Sequence, residues 1–346
     1  MCIGQRSLRL RRAIAILIGT LVICASSLTR SAQADDVIEV GGVGNEAQGA
    51  GVATAYLNDD PGREIVLMAY DNPPGANTFR YRVGYGLNSD GIAPNWSTPI
   101  TIDGVGDEAQ GAGVAIGNFD DNPRPEMVLM AYDNPSGPNT FRYKVGFNLN
   151  NGGFTSNWSD PIIVEGVGNE ASGAGVAIIN IDDDPRPDLI FMANDGGGNC
   201  RYRIGWDVNS SGIASSWSDS IDIGNGFGPN AQGAGITVTN LDTDPRPEIV
   251  LVGYPFTAPL DAFVYFIGWD MNEQGFVTGD WTPSNPSIPG VGQSVQDADG
   301  AILSADGEIK LVLMAYDNPP GPNTFRYRVI PLGSWPYRQF IPTVYR

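Results

Sequence analysis

A polar loop occurs three times with almost the same sequence. It reads MAYDNPPGANTFRYRV at 68–83, MAYDNPSGPNTFRYKV at 130–145 and MAYDNPPGPNTFRYRV at 314–329. Amides, a carboxylate, a guanidinium and a flat aromatic face are the groups that bind sugar hydroxyls and C–H faces. The pattern predicts ligand sites formed by Tyr70, Asp71, Asn72, Asn77 and Arg80, by Tyr132, Asp133, Asn134, Asn139 and Arg142, and by Tyr316, Asp317, Asn318, Asn323 and Arg326.

A second polar loop, GVGNEAQGAGVA at 42–53, returns as GVGDEAQGAGVA at 104–115 and GVGNEASGAGVA at 166–177. It adds five candidate ligand-binding residues: Asn45, Glu46, Gln48, Glu108 and Gln110. The arginine after the first loop is expected to brace the loop's acid or to reach a carboxylated sugar. The alternative is that Asn-Pro and Pro-Gly simply shape a turn, in which Asp71 caps backbone amides.

Acidic turns are a third recurring feature, at 58–64, 118–126, 180–188 and 240–248. Alternate oxygen-bearing side chains followed by an acid are how a short loop surrounds Ca²⁺. The candidate metal ligands are Asn58, Asp60 and Glu64 in the first turn and Asn118, Asp120, Asn122 and Glu126 in the second. In the third turn they are Asn180, Asp182, Asp184 and Asp188, and in the fourth Asn240, Asp242, Asp244 and Glu248. The alternative is a turn rich in Asp and Asn, whose acids pair with Arg124, Arg186 or Arg246.

All these features belong to a repeat of about 62 residues that occurs five times, at approximately 42–103, 104–165, 166–227, 228–289 and 290–346. Each copy shows four strand signals and no helical period; MVLMAY, for example, is apolar throughout, whereas TFRYKV alternates. Four antiparallel strands repeated radially predict an all-β, five-bladed β-propeller. Residues 35–41 match a fourth strand and are expected to close the ring, although the tail WPYRQFIPTVYR competes for that place. An unclosed solenoid is the alternative.

In a propeller, successive loops alternate between the two faces. The acidic turns therefore define one face (the turn face), whereas the two polar loops share the other (the loop face). If the ring closes, repeats 5, 1 and 2 become neighbours, and the three intact polar loops lie side by side. Phe79 and Tyr81, together with the tryptophans Trp96, Trp158, Trp217 and Trp281, are predicted to pack between blades.

In layout and in the acidic turns, the chain resembles the FG-GAP/VCBS repeat family, whose blades carry a D-x-D-x-D-G-x-x-D calcium loop after the innermost strand. Integrin α-subunit heads and several lectins are built in this way. The resemblance implies a propeller in which any bound calcium is structural. The family's glycine is replaced in four repeats, by Pro61, Pro123, Pro185 and Pro245, and proline cannot adopt a positive φ.

The N-terminal composition predicts a secretory signal peptide over residues 1–34, with an arginine-rich start, an apolar segment and SAQA at the cleavage position. Its removal takes away five arginines and no acids, which changes the formal charge from −19 to −24. Such a charge disfavours nucleic acid and anionic lipid as partners. The absence of histidine excludes His-dependent catalysis and His-bound zinc.

These observations predict a secreted (extracellular or periplasmic) multivalent carbohydrate-binding propeller. One alternative is a glycoside hydrolase or lyase that uses carboxylates, with Glu46, Glu108 and Glu170 as the candidates; three copies of a general acid are unusual for such an enzyme. A second alternative is an adhesion or protein-interaction propeller with a protein partner.

Overall fold

The computed structural model describes residues 37–43, 47–58, 62–71, 77–106, 109–133, 139–168, 171–182, 184–195, 198–224, 226–228, 231–255, 262–282, 288–291, 295–305, 307–317 and 323–332. The predicted signal peptide (1–34) and the C-terminal tail (333–346) lie outside these residues. Within the described residues, no helix is long and apolar enough to cross a membrane.

The described residues form five antiparallel sheets, which we call blades, and this confirms the predicted five-bladed β-propeller. Blade 1 contains β2 (Gly49–Ala55), β3 (Glu64–Asp71), β4 (Thr78–Tyr85), β5 (Asn95–Trp96) and β6 (Ile100–Asp103). Blade 2 contains β7 (Ala112–Gly117), β8 (Glu126–Asp133), β9 (Thr140–Gly146) and β10 (Ile162–Glu165). Blade 3 contains β11 (Ala171–Ile179), β12 (Asp188–Asp195), β13 (Cys200–Trp206), β14 (Ser216–Trp217) and β15 (Ile221–Asp222).

Blade 4 contains β16 (Ala231–Thr239), β17 (Glu248–Pro255), β18 (Ala262–Gly268), β19 (Trp281–Thr282) and β20 (Ile288–Pro289). Blade 5 combines β21 (Val295–Ala305), β22 (Glu308–Asp317) and β23 (Thr324–Pro331) with the N-terminal strand β1 (Ile38–Gly41). Strand β1 pairs with β23, with Val40 opposite Phe325. The N-terminal strand thus completes the last blade.

The innermost strands β2, β7, β11, β16 and β21 contact one another in that order, and β21 also contacts β2, so the ring is closed. The second strand of each blade is covered by its neighbours on both sides, which explains its continuous apolar sequence. The third strand alternates: in β4, Phe79, Tyr81 and Val83 are buried, whereas Arg80 and Arg82 are half-exposed. Five apolar clusters fill the spaces between neighbouring blades.

Tyrosines of the third strand join neighbouring blades by donating their hydroxyl protons to backbone carbonyls. The bonds are Tyr81 to Gly153 (3.0 Å), Tyr143 to Gly212 (2.9 Å), Tyr202 to Gly275 (2.6 Å) and Tyr327 to Gly91 (2.8 Å). The last of these crosses from blade 5 to blade 1. Trp217 stacks on Phe191 with ring centroids 5.1 Å apart, and Trp96, Trp158 and Trp281 pack against the apolar clusters, as predicted.

Candidate functional site

Tyr70 lies at the base of the first polar loop and holds the inter-blade loop of the next blade. Its hydroxyl donates to the carbonyl of Gly106 at 2.8 Å and accepts from the amides of Val105 and Gly106, each at 3.2 Å. In blade 2, Tyr132 forms the same set with Gly168 and Val167. The tyrosine therefore fixes the geometry between two polar loops of the loop face.

The predicted aromatic platform for sugars is wrong for these tyrosines. Tyr70, Tyr132 and Tyr316 are all 0% exposed, and each packs against the phenylalanine opposite it with ring centroids 4.6 Å apart. A ring buried between two blades cannot stack on a ligand at the surface. The physical reason is that Tyr70 and Phe79, which are paired across β3 and β4, pack against residues of blade 2 such as Ala112.

The asparagine that ends each polar loop is also buried and binds the inter-blade loop. Asn77 donates through Nδ2 to the backbone carbonyl of Gly106 at 2.7 Å, and the backbone carbonyl of Asn77 accepts from the amide of Gly104 at 2.9 Å. The carbonyls of Asn139 and Asn323 accept from Gly166 and Gly42 in the same way. Asn77, Asn139 and Asn323 thus position the loops from below.

The arginine of the third strand has a corresponding role. Arg80 donates to the carbonyl of Val43 at 3.1 Å and, through Nε, to the hydroxyl of Thr78 at 3.1 Å. Arg142 and Arg326 donate in the same way to the carbonyls of Val105 and Val291, and Arg326 also forms an ion pair with Glu39 at 3.0 Å. Each arginine thus braces an inter-blade loop.

The remaining predicted ligand-binding residues lie at the surface or outside the described residues. Gln48 is exposed, and Oε1 of the half-buried Gln110 accepts from the amide of Ala171 at 3.0 Å. Asn45, Glu46, Asn72, Glu108, Asn134, Glu170 and Asn318 lie outside the described residues, as do the side chains of Asp71, Asp133 and Asp317.

The hairpins of the three intact loops lie in neighbouring blades and share two supports, the backbone bond of the asparagine and the arginine bond to an inter-blade loop. Their hairpins end on the equivalent pairs Asp71–Thr78, Asp133–Thr140 and Asp317–Thr324. In blade 3 the last pair is Asn194–Cys200, and in blade 4 it is Gly253–Val264. Because β21, β2 and β7 are neighbours in the ring, the hairpins of blades 5, 1 and 2 lie in adjacent blades.

On the turn face, the last acid of each acidic turn is buried and supports its own turn. Glu64, Glu126, Asp188 and Glu248 are at most 1% exposed. Glu64 accepts from the amide of Leu57 at 2.8 Å and from Asn58 Nδ2 at 2.9 Å, and Glu126 accepts from the amide of Phe119 at 2.8 Å. Burial raises the pKa of Asp188 to about 6 and that of Glu248 to about 7, although backbone hydrogen bonds oppose both shifts.

The other acidic-turn residues accept hydrogen bonds from the turn itself. The amide of Asn122 donates to Asp120 at 2.9 Å, and the amide of Arg124 donates to Asn122 at 2.8 Å. The same ladder recurs at Asp182, Asp184 and Arg186 and at Asp242, Asp244 and Arg246. Asn180 and Asn240 donate to the carbonyls of Asp184 and Asp244, whereas Asn118 is exposed.

Calcium binding by these turns stays a prediction. In the described part of the chain, no group of three or more acidic side chains converges to hold a metal ion, and Asp60 lies outside that part. Arg246 pairs with Asp244 at 2.9 Å and with Asp270 at 3.2 Å, and Arg186 pairs with Asp207 at 2.9 Å. The geometry corresponds to the alternative stated above, a turn rich in Asp and Asn with arginine partners.

Two carboxylates on the ring axis were missed in the sequence. Asp297 and Asp299 lie in β21, and each is only 1% exposed. Asp297 accepts from the amides of Ala50 at 2.8 Å and Ala112 at 3.4 Å, and Asp299 accepts from the amide of Val52 at 2.9 Å. These amides belong to the innermost strands of blades 1 and 2, so side chains of blade 5 complete the hydrogen bonding of the channel wall.

The sequence carried a signal for these residues. Each of the other four repeats has Gly-Ala-Gly where the fifth has Asp297-Ala298-Asp299. The glycines allow the innermost strands to approach closely: a Cβ on Gly111 would lie 2.3 Å from the nitrogen of Ala174. Burial raises the pKa of both aspartates, that of Asp299 to about 8, although backbone hydrogen bonds oppose the shifts. Both carboxyl groups belong to a tightly bonded, closed centre.

No family model matches the sequence, and no curated protein matches it. The chain is similar to several solved structures. A mutant of AofleA from Arthrobotrys oligospora gives a TM-score of 0.46 at 12% identity, covering 87% of this chain and 88% of that chain. The fucose-recognising, six-bladed lectin of Aleuria aurantia gives 0.39 at 13% identity, covering 86% and 100%. An α-L-arabinofuranosidase from Fusarium graminearum gives 0.45 at 11% identity, covering 87% and 99%. These values assign no ligand or activity to this chain.

Proposed function

We propose that this chain is a secreted, multivalent carbohydrate-binding propeller. Its sites lie on the loop face, where the loop between the second and third strands of blades 5, 1 and 2 meets an inter-blade loop. The ligands are neutral hydroxylated glycans. Recognition comes from hydrogen bonds rather than aromatic stacking, because the tyrosines are buried.

The observation that carries the proposal is the repeated support beneath the polar loops. In blades 1 and 2, a buried tyrosine hydroxyl binds the next inter-blade loop, and a third-strand arginine binds the inter-blade loop leading into its own blade. Ordered supports of this kind reduce the conformational entropy that is lost when a ligand binds above them. Because three such loops lie on one rigid ring, weak single sites can combine into avid binding.

The loop residues supply suitable groups. Asp71 and Asn72 offer two acceptors and an amide, and Gln48 is exposed on the adjacent inter-blade loop. A hydroxyl can donate to a carboxylate and accept from an amide at the same time, which is the usual basis for selecting a sugar. In blade 3 the loop is shorter, and Asn194 and Cys200 replace the tyrosine–phenylalanine pair beneath it, so we expect no site there.

The test is a glycan array on the full chain and on the triple variant Asp71→Ala, Asp133→Ala and Asp317→Ala. We expect the wild type to bind a hydroxylated glycan multivalently and the triple variant to lose that binding. The matched control is Asp195→Ala, which removes the equivalent acid from the altered loop of blade 3 and should leave binding intact. Unchanged binding by the triple variant would refute the site, and a protein partner without a glycan signal would favour the adhesion alternative.

The same array with EDTA tests whether glycan binding depends on calcium. Because the acidic turns lie on the turn face and accept hydrogen bonds from their own backbone, we expect glycan binding to be unchanged by EDTA.

The hydrolase alternative gains nothing from Asp297 and Asp299. They are singular, as a catalytic pair would be, but both are buried and bonded to amides.

A further inference from the structure

An open cavity of about 340 Å³ lies on the ring axis and is lined by the innermost strands of all five blades. Its walls include Thr54, Thr239 and Asn240, close to the acidic turns, so it belongs to the turn face. At its inner end lies Val52, whose amide donates to Asp299. The axial carboxylates lie beyond that end, toward the loop face.

The wall of the cavity suits a hydroxylated ligand. Thr54, Thr237, Thr239, Ser304 and Asn240 are among its lining residues. The Thr54 hydroxyl donates to the carbonyl of Ile302 and the Asn240 amide donates to that of Asp244, so these two side chains can still act as acceptors. A volume of about 340 Å³ is within the range of small-molecule sites, roughly 300–1,000 Å³. Hydroxyls can both donate and accept, so they match a ligand that carries several hydroxyl groups.

Arg63 is the only arginine or lysine that lines this cavity, and its charge has no acidic partner among the described residues. Its guanidinium carbon lies 4.5 Å from the ring centroid of Tyr56, and its buried Nε has no hydrogen-bond partner. The equivalent residue is identified by a recurring backbone bond, in which the amide of Leu87 donates to the carbonyl of Arg63. The same bond is accepted by Pro125, Pro187 and Pro247 in the next three repeats and by Ile309 in the fifth. Blade 1 alone therefore places a cation at the cavity.

We propose that this cavity is a second binding site, separate from the loop face, for one small hydroxylated carboxylate. Arg63 binds the ligand's carboxylate, because a guanidinium offers paired donors that match the two oxygens. The threonine and serine hydroxyls bind the ligand's hydroxyl groups. A cation is disfavoured by Arg63, and an apolar ligand would leave the wall's polar groups without partners.

The test is isothermal titration of the full chain with D-glucuronate, D-glucose and acetate. We expect D-glucuronate to bind at one site per chain. D-Glucose lacks the carboxylate and should bind about ten-fold more weakly or worse, which corresponds to the loss of about one charge-assisted hydrogen bond. Acetate keeps the carboxylate but lacks the hydroxyls, and should bind about ten-fold more weakly or worse because it loses several neutral hydrogen bonds. Absence of glucuronate binding, or equal binding of all three probes, overturns the proposal.

Variants locate the site. Arg63→Gln should weaken glucuronate binding by about ten-fold or more, whereas Arg124→Gln, which removes an exposed arginine from the same face outside the cavity, should leave it unchanged. Ser304→Trp keeps Arg63 but places a large side chain at an exposed position of the cavity wall, and should abolish glucuronate binding. This variant tests the site independently if Arg63→Gln does not fold. Undiminished binding by a folded Arg63→Gln, or by Ser304→Trp, overturns the assignment.

Discussion

Oδ2 of Asp299 accepts a hydrogen bond from the backbone nitrogen of Val52 at 2.9 Å, across the junction between blade 5 and blade 1. The innermost strand of a blade has a partner on only one edge, so half of its amides face the channel and require another acceptor. At this junction the two ends of the ring meet, and the acceptor is a side chain. Asp299 is thus part of the closure of the ring.

Replacement of Asp299 should destabilise the fold. In Asp299→Ala, the buried amide of Val52 loses its acceptor, and we expect the free energy of unfolding to fall by about 1–3 kcal/mol. Denaturant unfolding measures this change. Asp219→Ala, which removes an exposed aspartate, is the control and should change stability little. Equal stability of the two variants would show that the axial bond contributes nothing.

The axial carboxyl should also make stability depend on pH. Burial raises the pKa of Asp299 from 3.8 to about 8, so the folded protein holds this proton more tightly than the unfolded chain. Its stabilising effect is therefore complete below about pH 4 and is lost as pH rises through about 8. We expect the melting temperature to fall between about pH 4 and about pH 8 and to lose nothing further from this group at higher pH.

Asp299→Asn isolates this effect, because asparagine does not titrate. Asp188, Glu248 and Asp297 have pKa values raised in the same direction and remain in the variant. The variant should therefore show a smaller fall in melting temperature over the same pH range. Parallel pH profiles of the two proteins would contradict a raised pKa at Asp299.

The fold was largely predictable because its signals are local. A repeat of about 62 residues, the apolar second strand and the alternating third strand each follow from short stretches of sequence. The direction of Tyr70 was not predictable in this way. Its hydroxyl binds Gly106, which lies 36 positions away in the next blade, so its burial follows only from the packing of two blades.

The axial aspartates show a different limit. The change from Gly-Ala-Gly to Asp297-Ala298-Asp299 is visible in the sequence, where it looks like sequence divergence of the last repeat. Its meaning depends on five strands meeting at one axis, which brings Asp297 to the amides of Ala50 and Ala112. A repeat position that differs in one copy is therefore better interpreted after the ring has been assembled.

Ring closure can be tested through Tyr327. Its hydroxyl donates to Gly91 across the junction of blades 5 and 1, and Tyr143 forms the same bond to Gly212 between blades 2 and 3. Tyr327→Phe and Tyr143→Phe should each lower the free energy of unfolding by about 0.5–1.5 kcal/mol, because each loses one neutral hydrogen bond. Denaturant unfolding compares them. A loss in Tyr143→Phe alone would mean that the closing junction does not form in solution.

The glycines of the innermost strands should be intolerant of even one methyl group. In Gly111→Ala, the new Cβ would lie 2.3 Å from the nitrogen of Ala174, and that atom belongs to a strand that other contacts hold in place. The neighbouring strands must therefore separate, and overpacking of this kind costs about 1–3 kcal/mol. Gly41→Ala is the matched control, since its Cβ would meet only the end of the Arg82 side chain, at 3.3 Å. Thermal unfolding should show a clear loss for Gly111→Ala and little change for Gly41→Ala. Equal melting temperatures of the two variants would mean that the innermost strands of blades 2 and 3 are packed loosely enough to accept a methyl group.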